Sequence, residues 1–359
     1  MNSKSLRLLR EWFKENAASL PWRPGNLDAS RDPYAVWISE TMLQQTQVAT
    51  VQEHFIRWLK RFPDIKTLAK AKEEEVFKYW QGLGYYSRAR NILKTAKLVA
   101  GSTSQKLPES RKELEALPGI GAYTAGAILS LAYHQREAIL DGNLVRIFSR
   151  LYALDFLPTD SKDAAETYWN YAREIADSSK AYMHNEAFME LGRTVCKVRS
   201  PLCEKCPLAK ECKTLQDART EAYPPRKKHV QKDWHGTVLV VESADGKILS
   251  TSSGNAFLDG QPALPHFESP RGSTTGIPAF AESLFDTDSV SAVHDCGSFR
   301  HSITVHKIEC SVLHILLTAK SKGIPLRKAK QTGARWIAKK DLQEAFANSF
   351  SLKALRKVF

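Results

Sequence analysis

Four of the six cysteines in this 359-residue chain fall between positions 196 and 212, as Cys196-x6-Cys203-x2-Cys206-x5-Cys212. No other feature restricts the fold as much. Thiols this close in sequence end close in space, and in a reducing compartment such clustering favours a metal centre over disulfides. Tetrahedral zinc and an iron–sulfur cluster would each satisfy four thiolates, and spacing alone does not choose between them.

The region before the cysteines reads as helical. Over residues 1–222 apolar residues recur at three- and four-residue spacing, punctuated by short Gly and Pro segments. Asp32-Pro33 predicts a helix start, with Asp as N-cap and Pro in the first turn. The pattern behind it predicts one helix running as far as Phe62. Further helices are expected over 73–80 and 87–99. Residues 223–233, with Pro224, Pro225 and several basic residues, read as a linker. Beyond it the period changes. Strands are expected over 235–242 and 247–250, paired strands within 302–317, a loop over 252–276, and a strand followed by a helix over 335–347. Residues 234–359 therefore form a second, α+β domain.

The formal net charge is +13. That balance suits a polyanion, either nucleic acid or an anionic membrane surface. No basic amphipathic anchor supports the membrane, and no secretory signal or run of about 18 apolar residues stands out. The expected compartment is the cytoplasm, at the nucleoid in a bacterium.

Three segments carry candidate chemistry. Leu117-Pro118-Gly119-Ile120-Gly121 reads as a glycine hairpin between two helices. Its free N–H groups at the second helix's start can hold a phosphate, although an ordinary helix-to-helix turn looks similar. Asp141, after an apolar pair and before Gly142, has the setting of a helix N-cap. Glu40 lies among apolar residues on the helix begun at Asp32. A carboxyl buried there has a raised pKa and can act as a general acid, whereas an exposed one would be inert surface.

Taken together and in this order, these segments and the cysteine loop resemble the endonuclease III superfamily over residues 1–220. Leu20-Pro21-Trp22-Arg23, the Ser39-Glu40-x-Met42-Leu43-Gln44-Gln45-Thr46 block and Gly82-Leu83-Gly84-Tyr85-Tyr86 resemble the MutY family of adenine DNA glycosylases within it. The resemblance implies a multidomain chain: an all-α helix–hairpin–helix glycosylase domain with an iron–sulfur loop, then a Nudix-like domain that reads 8-oxoguanine. It implies a [4Fe–4S] cluster on Cys196, Cys203, Cys206 and Cys212. Glu40 is then the general acid, and Asp141 stabilises the oxocarbenium-like sugar. Tyr123 supports Asp141, and Asn143 positions the sugar or Asp141. Trp22, Arg23 and Leu43 form the adenine pocket, Glu186 contacts the flipped base, Gln45 reaches into the DNA, and Tyr85 wedges into the duplex. Gly119 and Gly121 hold the backbone. Tyr123 stands where strand-cutting members carry a lysine, so the activity implied is monofunctional.

The implied partner is duplex DNA carrying adenine opposite 8-oxoguanine or guanine, bound by a monomer. In the second domain the resemblance rests on Phe299-Arg300-His301-Ser302-Ile303-Thr304 and Arg335-Trp336-Ile337. Thr304 keeps a hydroxyl for the damaged base, while Ile303 and Val305 replace an aromatic and an imidazole. No acidic Nudix box is present. The competing expectations are a pyrimidine-lesion glycosylase of the same superfamily and a non-catalytic DNA-binding or redox module.

Overall fold

A computed structural model of the chain describes residues 1–225, 231–252, 256–258, 260, 262–270, 284–285, 287–303, 305–318, 332–346 and 348–359. Their contacts divide the chain into two compact units, Met1–Lys227 and Lys228–Phe359.

The first unit is helical: α1 (Ser3–Asn16), α2 (Pro33–Leu43), α3 (Val48–Arg61), α4 (Ile65–Ala69), α5 (Glu73–Trp80), α6 (Ser87–Ala100), α7 (Arg111–Glu115), α8 (Ala122–Leu131), α9 (Gly142–Tyr152), α10 (Lys162–Ala176), α11 (Ala181–Thr194) and α12 (Lys213–Gln216). Helix α2 begins as its sequence requires. The Asp32 side chain accepts the Tyr34 N–H, and Pro33 takes the first turn. Residues 36–42 of α2 and 124–131 of α8 are buried throughout. Helices apolar on every side belong inside a core, and these two pack on each other. Trp37, Trp58, Trp80, Phe148 and Phe188 fill the space around them.

The single helix expected from Asp32 to Phe62 is two helices. It breaks between Leu43 and Val48, where Gln45 adopts φ +56°. A left-handed residue cannot continue an α-helical ladder. Thr46 N–H bonds to the Leu43 carbonyl and Arg88 takes the other freed carbonyls.

Helix α11 lies against α8 and α9, so the start of α8, the start of α9 and one face of α11 converge. Two glycines set that convergence. A Cβ on Gly126 of α8 would lie 2.5 Å from the Ala138 carbonyl oxygen, and one on Gly192 of α11 would lie 2.6 Å from Asn143 Cβ.

The second unit is a mixed sheet with helices. Its strands are β1 (Lys232–Glu242), β2 (Ile248–Ser250), β3 (His266–Glu268), β4 (Val290–Ile303), β5 (His306–Leu317) and β6 (Arg335–Ile337), followed by α13 (Leu342–Ala345) and α14 (Ser349–Val358). The order is β4-β5-β1-β2-β6, with β3 also paired on β1. β1 and β5 run parallel and the other pairs antiparallel. Alternation along β1 makes two cores. Val238 and Val240 pack with Phe346, Phe350 and Leu355, while Leu239 and Val241 pack with Leu284, Phe285 and Ile315.

β1 starts inside the stretch read as a linker, and β3 lies inside the stretch read as loop. The 302–317 segment is only the second half of a hairpin whose first strand starts at Val290. Most of β4 is exposed or half-exposed, with Gly297 at φ +80° beside a register shift between Asp295 and Ser298. It therefore lacks an apolar alternation.

Replacing Gly126 by Ala should destabilise the chain by about 1–3 kcal/mol, because the methyl must displace backbone in a filled core. Chemical denaturation of the two proteins measures it, and an unchanged midpoint would mean that the α8 contact is not close-packed.

Candidate active site

The convergence of α2, α8, α9 and α11 leaves a cavity of about 610 Å³, of the size that takes a small organic ligand. Of the residues singled out from sequence, it gathers Trp22, Arg23, Glu40, Leu43, Gln45, Tyr123, Asp141, Asn143 and Glu186. These come from the loop before α2, the end of α2 and its break, the first turn of α8, the start of α9, and α11.

Glu40 is 5% exposed. Burial pushes its carboxyl up to about 7, against the pull of a hydrogen bond from Tyr123 and with the nearby Glu186 charge adding to the rise. The Tyr123 hydroxyl donates to Glu40 Oε2 at 2.5 Å and also approaches Met189 Sδ at 3.3 Å. Tyr123 was expected to support Asp141. It bonds to Glu40 instead, because the first turn of α8 faces the buried stretch of α2. Burial and the Glu40 carboxylate hold the phenol well above its ordinary value, so it stays a donor.

Asp141 caps α9. Its Oδ1 accepts the Leu144 N–H at 2.8 Å and its Oδ2 accepts Asn143 Nδ2 at 2.8 Å. Burial raises its carboxyl, and those two donors, with Arg146, oppose the rise. Arg146 in turn donates to Asn143 Oδ1, the Gly192 carbonyl and the Cys196 carbonyl, at 2.8, 2.8 and 2.7 Å. The cap, expected as the ordinary alternative for this residue, and a carboxylate edge facing the cavity coexist in one side chain.

Glu186 is buried and doubly paired. Arg23 Nε donates to Oε1 at 3.0 Å, and Arg31 Nη2 donates to Oε2. Arg23 also reaches Glu190 Oε2 at 3.2 Å, and Glu190 is paired with Arg193 as well. Sequence reasoning missed Arg31, Glu190 and Arg146. Arg31 lies 155 positions from its partner, and no local pattern reports such a pairing.

Other expected residues lie elsewhere. Tyr85 is 51% exposed, with φ +47°, on the loop before α6 and outside the cavity lining. Gly119 and Gly121 form the hairpin before α8. Gly119 has φ +79° and no room for a Cβ beside Asn91, and Gly121 caps α8. Thr304 lies outside the described residues.

The four cysteines surround a separate small cavity in the same unit. None is in a disulfide. The buried Arg150 donates to Cys196 Sγ at 3.2 Å and to the carbonyls of Lys197, Val198, Thr220 and Tyr223. Burial raises Cys203 and pushes Cys206 up to about 12. Among the described residues no three His, Cys, Asp or Glu side chains are gathered to hold a single metal ion. Also among them, no helix is long and apolar enough to cross a membrane.

A helical fold with a glycine hairpin leading to a capping aspartate defines a class. Residues 38–173 match the HhH-GPD superfamily of base excision DNA repair proteins. A thermostable thymine-DNA glycosylase of known structure shares the fold, with a TM-score of 0.53 at 24% identity over 59% of this chain and 95% of that one. The adenine DNA glycosylase of Mus musculus is 41% identical over 212 residues, and that of Homo sapiens 39% over 217. That of a Buchnera aphidicola strain is 39% identical over 196 residues, 55% of this chain and 54% of its own length. Through its first unit the chain is similar to adenine DNA glycosylases. The match spans 58% of this chain but only 41% of the mouse protein.

Glu40 gives a linkage test. Its folded value, about 7, lies above the ordinary 4.5. The folded state therefore binds the proton more tightly, and this group's contribution to stability falls as pH rises from about 4.5 through 7. Glu40→Gln, which keeps an acceptor for Tyr123 and cannot ionise, should be more stable than the parent at pH 8 and equal to it near pH 4. Denaturant titrations at both pH values check this. Equal stability at pH 8 would place the carboxyl in water.

Proposed function

We propose that the chain is a monofunctional adenine DNA glycosylase, which hydrolyses the N-glycosidic bond of adenine mispaired with 8-oxoguanine or guanine in duplex DNA. The observation that carries this reading is the pair of carboxyls in one cavity, Glu40 poised near neutrality and Asp141 held as a cap. Adenine leaves poorly as an anion, so a proton must reach the ring, and a buried carboxyl near pH 7 supplies it. As the bond to C1′ breaks, positive charge builds on the sugar, and a fixed carboxylate stabilises it. Asn143 holds Asp141 in place. Water completes the hydrolysis.

The pocket's polarity suits adenine. Glu186, ion-paired to Arg23 and Arg31, offers only acceptors, which match an exocyclic amino group. Protonated Glu40 offers a donor to a ring nitrogen. Trp22 and Leu43 supply apolar walls. Tyr123 cannot form a Schiff base, so the strand stays intact. A target base reaches such a cavity only by leaving the stack, with Tyr85 and Gln45 entering the duplex in its place. The hairpin at Gly119 and Gly121 fits the backbone-holding role.

Cys196, Cys203, Cys206 and Cys212 would hold a [4Fe–4S] cluster. Thiolates on one zinc must converge to about 2.3 Å from a point. The four thiols line one small cavity, and the resemblance of their spacing to the iron–sulfur loop supports the cluster. When bound, the cluster cross-links the loop that Arg146 and Arg150 tie to α9. The second unit would serve as a Nudix-like domain reading the opposite base, and the complex would contain one protein molecule.

In single-turnover assays the chain should excise adenine opposite 8-oxoguanine and guanine but not opposite thymine, with strand breaks only after alkali. Asp141→Asn should bind the same duplex and lose excision by on the order of a thousandfold, the scale of a lost charge-stabilising group. Parallel loss of binding and excision would remove the assigned role, and excision of oxidised pyrimidines would favour another branch of the superfamily. The purified protein should be yellow-brown with broad absorbance near ~400 nm. One stoichiometric zinc in a colourless protein would overturn the cluster.

A further inference from the structure

Two residues that the proposed function sends into the duplex have a left-handed backbone, Gln45 at φ +56° and Tyr85 at φ +47°. Neither is glycine, so each conformation costs free energy that the surroundings must offset. They lie on separate segments, the break after α2 and the turn before α6. Arg88 joins the two segments, beside a longer bond from Thr46 Oγ1 to the Leu83 carbonyl at 3.5 Å. Arg88 Nη1 donates to the carbonyls of Thr41, Met42 and Gln44 at 2.8, 3.2 and 2.6 Å. Its Nη2 donates to the carbonyls of Leu83 and Gly84 at 2.9 and 3.3 Å and to Thr46 Oγ1 at 3.3 Å. The guanidinium lies over the rings of Trp80 and Tyr85, at 5.2 and 5.6 Å from their centroids. Trp80 Nε1 bonds to the Gly84 carbonyl at 2.9 Å, backing the same turn.

We infer that Arg88 is a positioning residue that clamps the Gln45 and Tyr85 segments into a single probe for extruding the target base. Its planar fork satisfies orphan carbonyls at the end of α2 and in the next turn at once, which lysine's single ammonium cannot do. Its hydrogen bonds go to the two probing segments, and none goes to Glu40, Asp141 or Glu186. The clamp therefore acts on getting the base out of the stack, and bond breaking is left to the carboxyls. This inference rests on the adenine-glycosylase reading.

The test uses wild type, Arg88→Met and Arg88→Lys on two duplexes under single-turnover conditions. One carries adenine opposite 8-oxoguanine. The other carries the same adenine opposite an abasic analogue, where it has no pairing partner to leave. The ratio of the two rates in one preparation does not depend on how much protein is folded. The ratio should shift toward the unpaired target by about tenfold or more in Arg88→Met, the scale of a mispositioned group, and by less in Arg88→Lys. The dependence of the unpaired rate on pH should stay that of wild type. An active wild type with an unchanged ratio in both variants overturns this inference alone. A wild type that excises neither adenine overturns the glycosylase reading and this inference with it.

Discussion

A carboxyl shut away from water must be either neutral or paired, because an isolated buried charge is too costly to keep. The cavity contains both solutions side by side. Glu40 is buried with a phenol as partner and sits near the boundary between its two states. Glu186 is buried with two guanidiniums. The difference follows from the elements that carry them. Arg31 acts on Glu40 only as a nearby charge, weaker than the burial of α2, whereas Glu186 on α11 is bonded directly by Arg23 and Arg31. One carboxyl can therefore give a proton while its neighbour can only receive hydrogen bonds.

Much of this was legible in the sequence where the cause is local. Asp32-Pro33 marks the start of α2, and Asp141 before Gly142 marks the start of α9, because capping involves only a few adjacent residues. What stayed hidden depends on distant partners. The break at Gln45 has no glycine or proline to announce it. The guanidinium of Arg88, 44 positions beyond Gln44, donates to the freed carbonyls there. The pairing of Tyr123 with Glu40, 83 positions apart, is of the same kind. In the second unit the buried alternation of β1 was plain, while the mostly exposed first half of β4, kinked at Gly297, gave no period to read.

The cysteine loop is tied into the helical unit by side chains of α9. Its four thiols line one small cavity. The loop is not an isolated appendage. Arg146 and Arg150, on one helix, bond to the backbone around Cys196 and reach Asn143 and the chain beyond the last cysteine. Order in the loop and order at the start of α9 thus draw on the same side chains.

Gly192 has a quieter consequence. Because it has no side chain, α11 comes close enough for Asn143 to rest on its backbone, and Asn143 holds Asp141. The aspartate's location therefore depends on an asparagine side chain seated against the bare backbone of α11. A group mounted this way has little motion left to surrender when a ligand arrives, so the ordering that binding would otherwise demand was completed when the chain folded.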